Sequence, residues 1–502
     1  MALRPKPHQI ISKLPEYIHK TEPFPHQTRA FNRSRDMEYF ALFWEVGCAK
    51  SKVIIDTAAD NFERGKIDTL VVLAPNVVHR QWADEEDVDA PLSHLPARIP
   101  HVAAAWKSGT ANTAFRAAAG ASNDRLKILS INLEVMSTPK LAEMVYTICD
   151  NNKVLLTLDE CHNFKNPSSS RTKAVLEFQR RNKQTNEIIV PTVMRRILTG
   201  TEIGIGMEDL YAQYKFLHPS ILGIHTFTEF KSEFCVMWGF EVRGYKHIDE
   251  LQRRIAPYTD FADKATSLSL PPELDLPPYD VPLSDEQWRV YNQIREDYLA
   301  ELNSGEVIEA PLAINRIQKF AQIAAGHIQL GQGKWEPLDA MERIKIVLDI
   351  IKNQARGQVI IWAQYQPDII QISKALTEAG VKHVTFFGGN SSGCNGDNLK
   401  AFKSDPSIKV FLATPASGSE GHTINCADTV IRYNLGVSYL QHVQATGRNY
   451  RPGQTKSVTR HTLIARRTIE VKLARAIRER KELRELFRDP EVYKQWLLEV
   501  EE

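Results

Sequence analysis

Val154-Leu155-Leu156-Thr157-Leu158-Asp159-Glu160-Cys161-His162 reads as a buried strand that ends in two carboxylates. A short run of Val, Leu and Thr without polar alternation suits a strand inside a parallel sheet, and such sheets carry their working residues at the strands' carboxyl ends. Asp159 and Glu160 fall at that edge. Adjacent carboxylates of this kind can divide the work of nucleotide hydrolysis, the first holding Mg2+ and the second orienting or deprotonating a water. Taken alone the pair decides nothing, because most acidic pairs after strands are simply solvated.

Working outward, other stretches repeat the pattern. Tyr39-Phe40-Ala41-Leu42-Phe43-Trp44, Thr69 to Pro75, Lys127 to Asn132 and Arg195 to Thr201 make, with Val154 to Leu158, about five apolar strands alternating with helices. That alternation predicts a doubly wound parallel sheet over residues 1–225. After Thr69 to Pro75 a helix carrying Gln81, Trp82 and Glu85 is expected. From about Phe227 to Trp335 the strand pattern stops and helical signals such as Ser284-Asp285-Glu286-Gln287-Trp288 take over, in two helical groups separated by the prolines of Leu270-Pro271-Pro272 and Leu276-Pro277-Pro278, which predicts insertions or a linker over 226–335. A second alternating series follows at Val359 to Ala363, Val384 to Phe387, Val410 to Thr414, Thr429 to Tyr433 and Val458 to Ile464, predicting a second lobe over 336–465. The remaining 466–502 reads as a basic helix and tail, with the excess positive charge of Arg466 to Arg488 as a solvated face or, second, a contact with a nucleic-acid backbone.

Between the first strand and its helix stands Glu45-Val46-Gly47-Cys48-Ala49-Lys50-Ser51. This is the order of strand, phosphate loop and helix: backbone N–H groups and a helix N-terminus cradle phosphate, Lys50 reaches the β and γ phosphates, and Ser51 ligates Mg2+. Ala49 stands where glycine is usual, and its small size is expected to fit the helical turn. Upstream, Pro23-Phe24-Pro25-His26-Gln27 reads as a loop entering a helix, with Gln27 able to offer both donor and acceptor to an adenine edge. In the second series, Gln444 to Gln454 holds Arg448 and Arg451, read as one face of a helix. They are either a solvated basic face or arginines that stabilise a γ phosphate.

Composition bounds these readings. At 502 residues the chain is too long for one ordinary core. Hydrophobic residues at 43% and charged residues at 25% match a globular protein and exclude extended disorder. A net charge of +2 excludes a globally basic protein but leaves room for a local phosphate-binding groove. The six cysteines form no CxxC pair, which excludes a zinc framework and fits a reducing compartment. No apolar run resembles a signal peptide or reaches membrane-spanning length, so no membrane partner is expected. The expected location is intracellular: cytoplasmic, or associated with the nucleoid in a prokaryotic or viral setting.

The ordered set resembles the superfamily two helicase-like ATPases, and more narrowly their Swi/Snf-type branch, from about Pro23 to Ile477. The branch-specific pieces are Asp159-Glu160-Cys161-His162 running on to Phe164-Lys165-Asn166 and Ser168, then Leu198-Thr199-Gly200-Thr201, Gly244-Tyr245-Lys246, and Arg448-Asn449-Tyr450-Arg451-Pro452-Gly453-Gln454. The resemblance implies an α/β fold of two RecA-like, doubly wound parallel-sheet lobes with helical insertions between them, and ATP with Mg2+ as cofactors. By it, Gln27 reads adenine, Gly47, Cys48, Ala49, Lys50 and Ser51 hold phosphate, and Ser51 and Asp159 hold the metal. Glu160 becomes the base, and Gln444, Arg448 and Arg451 become γ-phosphate sensors with Gly421 nearby. His162, Thr199 and Thr201 couple hydrolysis to movement, while Pro75, Lys165, Asn166 and Thr414 lie toward DNA. The chain departs from the family at Ala49, at Glu202, where proline is usual, and at Asp260-Phe261-Ala262-Asp263-Lys264, which lacks the usual arginine pair.

The implied activity is a DNA-stimulated ATPase that translocates on double-stranded or branched DNA as a monomeric motor. Flanks of roughly 20 residues fall below an independently folding domain, which favours a minimal motor of replication, recombination or repair over a nucleosome remodeller. No sequence feature identifies a protein partner. A strand-separating helicase and a nucleotide-gated DNA clamp without productive hydrolysis are the competing readings.

Overall fold

The computed structural model describes residues 16–76, 78–107, 112–164, 166–178, 180–181, 188–189, 191–200, 207–239, 241–303, 310–329, 334–418 and 423–479. The chain divides into two compact units, Met1–Ser269 and Leu270–Glu502. Among the described residues no helix is long and apolar enough to cross a membrane.

The first unit is built on β1 (Tyr39–Trp44), β2 (Thr69–Ala74), β3 (His101–Ala105), β4 (Leu126–Asn132), β5 (Val154–Leu158), β6 (Met194–Thr199) and β7 (Thr259–Ala262). They form one sheet in the order β7-β1-β6-β5-β2-β4-β3, with every pairing parallel. β1 and β5 are buried along their whole length, because each face feeds its own core. Ala41, Phe43, Val71, Leu73, Leu156 and Leu158 pack with Ala142 and Val145 on one side. Phe40, Leu42, Trp44, Leu70, Val72 and Leu155 meet α1 (Pro25–Ser34) and α2 (Lys50–Glu63) on the other.

The second unit repeats the plan with β8 (Glu273–Asp275), β9 (Tyr279–Asp280), β10 (Gln358–Trp362), β11 (His383–Phe386), β12 (Val410–Ala413), β13 (Ala427–Arg432) and β14 (Val458–Ile464). The order is β8-β14-β13-β10-β12-β11, with β9 also against β14, and all pairings are again parallel. Ile369 and Ile372 of α3 (Gln366–Glu378) cover one face, and Phe402 and Ala445 cover the other. The doubly wound α/β reading therefore holds for both units.

Several local expectations do not hold. The chain makes only a 3-10 turn at His79–Ala83 where a helix through Glu85 was expected, because the Asp84 carboxylate captures the Glu86 and Asp87 N–H groups. Residues 226–335, read as helical insertions and a linker, also carry strands. The first unit claims them as far as Ser269, including a hairpin of Cys235–Trp238 with Glu241–Tyr245 and the edge strand β7. β7 escapes the apolar pattern because Asp260 lies in it, held by Arg29 at 2.8 Å and by the Trp44 indole at 2.9 Å. In the C-terminal run, the described helix is Ile469–Arg478, and its Glu470 and Lys472 are buried rather than solvated. Glu470 pairs with the buried Arg343 at 2.6 Å. The remainder of that run lies outside the described residues.

Candidate nucleotide site

β1 delivers its carboxyl end to the loop Glu45 to Ala49, and α2 begins at Lys50. The first-turn N–H groups of a helix have no intrahelical partner, and α2 places no acidic residue there, so this end presents uncompensated positive charge. Gly47 has φ +96° and Ala49 φ +53°. Ala49 is thus not part of the helical turn, as expected from its size, but a left-handed N-cap. For an L-residue that conformation costs roughly 1–2 kcal/mol. Lys50 Nζ donates to the carbonyls of Trp44, at 3.0 Å, and Glu45, at 3.5 Å. Ser51 is half-buried in the first turn, and Cys48 is fully buried, its thiol pushed up to about 11 by that burial.

Two neighbouring side chains of α1 grip this loop. His26 Nε2 donates to the Cys48 carbonyl at 3.0 Å, and Gln27 Nε2 donates to that of Ala49 at 2.9 Å. Gln27 Oε1 also accepts the Phe24 N–H at 2.8 Å, so this buried amide spends one donor and one acceptor on its own chain. One of each remains for a ligand. In the sequence, His26 is signalled only by its position beside Gln27.

β6 lies between β1 and β5 and joins their ends. A Cβ at Gly200 would come within 2.4 Å of Val46 Cγ2, so only glycine lets the end of β6 rest on the phosphate loop. The Gly200 N–H points at Glu160 Oε2 at 3.4 Å, and His162 Nδ1 lies 3.3 Å from the same oxygen. His162 Nδ1 is also 3.4 Å from Thr199 Oγ1. Glu160 itself has φ +51°, a strained turn that both the main-chain and side-chain N–H groups of Asn163 hold by bonding the Glu160 carbonyl.

Asp159 is oriented from behind. Trp82 Nε1 donates to Oδ2 at 3.0 Å and the Glu160 N–H to Oδ1 at 3.0 Å. Trp82 is 1% exposed, and a buried indole N–H needs an acceptor. Burial raises the Asp159 pKa first and the charge of Glu160 raises it further, while the Trp82 hydrogen bond and then the charge of Lys50 work against both. Burial also pushes Glu160 upward, but the bond and charge of His162, then Lys50 and the Gly200 N–H, outweigh it and leave its pKa lowered. Cys161 is buried among them, its thiol held far above the ordinary range by burial and both carboxylates.

These residues fit Mg2+ arriving with a nucleotide. Such an ion keeps several waters and takes one or two protein ligands beside the phosphates. Asp159 has a second lone pair free on each oxygen, Ser51 offers a hydroxyl, and among the described residues no cluster of three or more His, Cys, Asp or Glu forms a resident metal cage.

In the second unit Gln444 lies on the helix Tyr439–Thr446. Arg448 and Arg451 do not share its face as expected, because the helix stops at Gly447 and both follow in a turn. The Arg448 carbonyl accepts the Ile424 N–H at 2.8 Å, and Arg451 donates to the Gly447 carbonyl and to Thr423 Oγ1 at 3.3 Å. Gln454 Nε2 ties the turn to the Ala427 and Asn449 carbonyls. Of the residues read toward DNA, Pro75 is half-buried at the end of β2, Asn166 is exposed and caps Ser168 N–H at 2.9 Å, and Thr414 is buried after β12. Lys165, Thr201, Glu202 and Gly421 lie outside the described residues.

A family model described as "SNF2-related domain" matches residues 53–324, more than half the chain. The chain belongs to the SNF2-related family. A model described as "Helicase conserved C-terminal domain" matches 342–453, the span that holds Gln444, Arg448 and Arg451. The "Uncharacterized ATP-dependent helicase MG018" of Mycoplasma genitalium is 23% identical over 444 residues, covering 88% of this chain and 39% of that protein. The "Putative ATP-dependent helicase/translocase YwqA" of Bacillus subtilis is 24% identical over 361 residues, covering 70% and 36%. Human "DNA excision repair protein ERCC-6" is 25% identical over 344 residues, covering 63% and 22%. This SNF2-related chain thus spans well under half the length of these relatives. The solved Sulfolobus solfataricus SWI2/SNF2 ATPase core in complex with dsDNA aligns with TM-score 0.42 and 21% identity over 98% of this chain and 100% of that one.

Proposed function

We propose that the chain is a DNA-stimulated ATPase that translocates on double-stranded or branched DNA, remodelling DNA structures or displacing bound protein in replication, recombination or repair. The observation that carries it is the gathering of Lys50, Asp159 and Glu160 at one sheet edge, with the charge of Lys50 acting on both carboxylates and Gly200 seated against the phosphate loop. Lys50 would leave the Trp44 and Glu45 carbonyls for the phosphates, Ser51 and Asp159 would hold Mg2+, and Glu160 would orient and deprotonate the attacking water. Mg2+, when bound, neutralises charge on the phosphates. Arg448, Arg451 and Gln444 sense the γ phosphate from the second unit, and Thr199 and His162 couple hydrolysis to movement. With a net charge of only +2, tracking rests on local contacts to phosphates and little on base sequence.

Translocation is favoured over strand separation by the interval from Asn425 to Gln444, where a separating hairpin would be placed. It contains the single strand β13, a short connection and the start of the helix at Tyr439. The deciding experiment measures ATP hydrolysis with no DNA and with single-stranded, duplex, forked and four-way DNA. Acceleration by duplex or four-way DNA is expected, and a rate indifferent to duplex DNA sinks the proposal.

A second reading, a nucleotide-gated clamp without productive hydrolysis, is favoured by the left-handed Ala49 in the phosphate loop. Equal phosphate release from wild type, Lys50→Ala and Glu160→Gln supports the clamp instead.

A further inference from the structure

The chain leaves the first unit and enters the second through residues 262–272. We propose that this stretch is a stiff strap joining the phosphate loop to the arginine turn, with Glu45 and Tyr450 as its two positioning residues. The inference rests on the ATPase reading above.

At the first end, Glu45 holds the strap from both its main chain and its side chain. Its N–H donates to the Ala262 carbonyl at 2.8 Å, and its Oε2 accepts the Lys264 N–H at 2.8 Å. Just before it, the Trp44 indole holds Asp260 at 2.9 Å. Trp44 and Glu45 are also the residues whose carbonyls receive Lys50 Nζ. A lysine drawn toward phosphate must release the same two residues that anchor the strap.

At the far end, Tyr450 stands between Arg448 and Arg451 in sequence and donates its hydroxyl to the Pro271 carbonyl at 2.9 Å. The Val458 N–H holds the Pro272 carbonyl at 3.1 Å, and Glu273 pairs with Arg460. A shift of the arginine turn therefore pulls on Pro271 directly.

The span between the two clasps is built to pass such a pull along. One helical turn, Lys264–Ser267, is capped by Asp263, which accepts the Thr266 N–H at 2.8 Å and its hydroxyl at 2.7 Å. Residues 262–272 contain no glycine and end in Pro271-Pro272, each with φ locked by its ring. A Gly/Ser linker of equal length would absorb displacement as random coil, whereas a capped turn and a proline pair transmit it.

The test is steady-state ATP hydrolysis by the full chain carrying Tyr450→Phe, which removes only the hydroxyl, or an insertion of two glycines between Ser269 and Leu270. Expected are a kcat lowered about five- to tenfold in each, a KM for ATP within about twofold of wild type, and an unchanged melting temperature. A role in folding alone would move the melting temperature and leave kcat per folded molecule intact, which overturns the proposal. Should the insertion unfold the chain, Tyr450→Phe decides alone. Wild-type kcat in the variants of a chain that hydrolyses ATP overturns the strap and leaves the ATPase reading standing. A wild-type chain that neither binds nor hydrolyses ATP overturns both.

Discussion

Both units run from a buried strand through a short loop into a helix, at β1–α2 and at β10–α3, yet the two helix N-termini are finished in opposite ways. The first turn of α2 carries Lys50 and Ser51 and no acid. The first turn of α3 carries Asp368, wholly buried. That carboxylate accepts the Tyr365 N–H at 3.2 Å and the Asn434 amide at 2.7 Å, and lies 3.0 Å from His327 Nδ1. The second unit thus supplies its own anion where the first leaves donors open. What separates an open helix N-terminus from a capped one within one sheet design is the residue in the first helical turn, because uncompensated N–H groups attract an anion and compensated ones do not.

The largest effect should come from breaking the open site. Glu160→Gln is expected to lower kcat about a thousandfold, close to ~4 kcal/mol of activation free energy, with the KM for ATP within about twofold. Phosphate release measures it, and a rate within tenfold of wild type would remove Glu160 from the chemistry. The filled site should answer in stability instead. Asp368→Asn removes a buried charge from His327 and should cost the second unit about 3 kcal/mol in urea unfolding. An unchanged midpoint would mean that the cap is not held by charge.

Trp82→Phe sharpens the first side by freeing one oxygen of Asp159. A fall in kcat of about tenfold, with more Mg2+ needed for half-maximal rate, is expected in a magnesium titration. An unaltered magnesium dependence would detach Trp82 from the metal ligand. Smallest is Ala49→Gly, which relieves the left-handed N-cap and should stabilise the first unit by about 1 kcal/mol in thermal unfolding. A destabilised variant would show that the loop is not strained at Ala49.

The legible parts of the fold are strands buried on both faces. Tyr39–Trp44 and Val154–Leu158 have no polar alternation to confuse them. His101–Ala105 and Thr259–Ala262, at the two edges of the same sheet, were not legible, one because alanine is a weak strand former and the other because it carries Asp260. The site divides in the same manner. Lys50 and Ser51 stand side by side in sequence, as do Asp159 and Glu160, and local spacing exposes both pairs. Trp82 reaches Asp159 across 77 positions, and no local pattern announces such a bond.

The amino-acid sequence by itself determined that two alternating strand and helix series are present, that one of them carries Lys50 and Ser51 where its first strand's loop meets a helix, and which carboxylates end its central strand. Period and composition act over neighbouring residues, and those are local facts. Only the tertiary structure decided that Gly200 seats β6 on Val46, that His162 and Gly200 converge on Glu160, that Ala49 caps α2 in a left-handed conformation, and that Arg448 and Arg451 follow their helix instead of riding on it. Each of these depends on where distant segments stop and touch, which is set by packing on the sheet's two faces and by the demand that buried polar groups find partners.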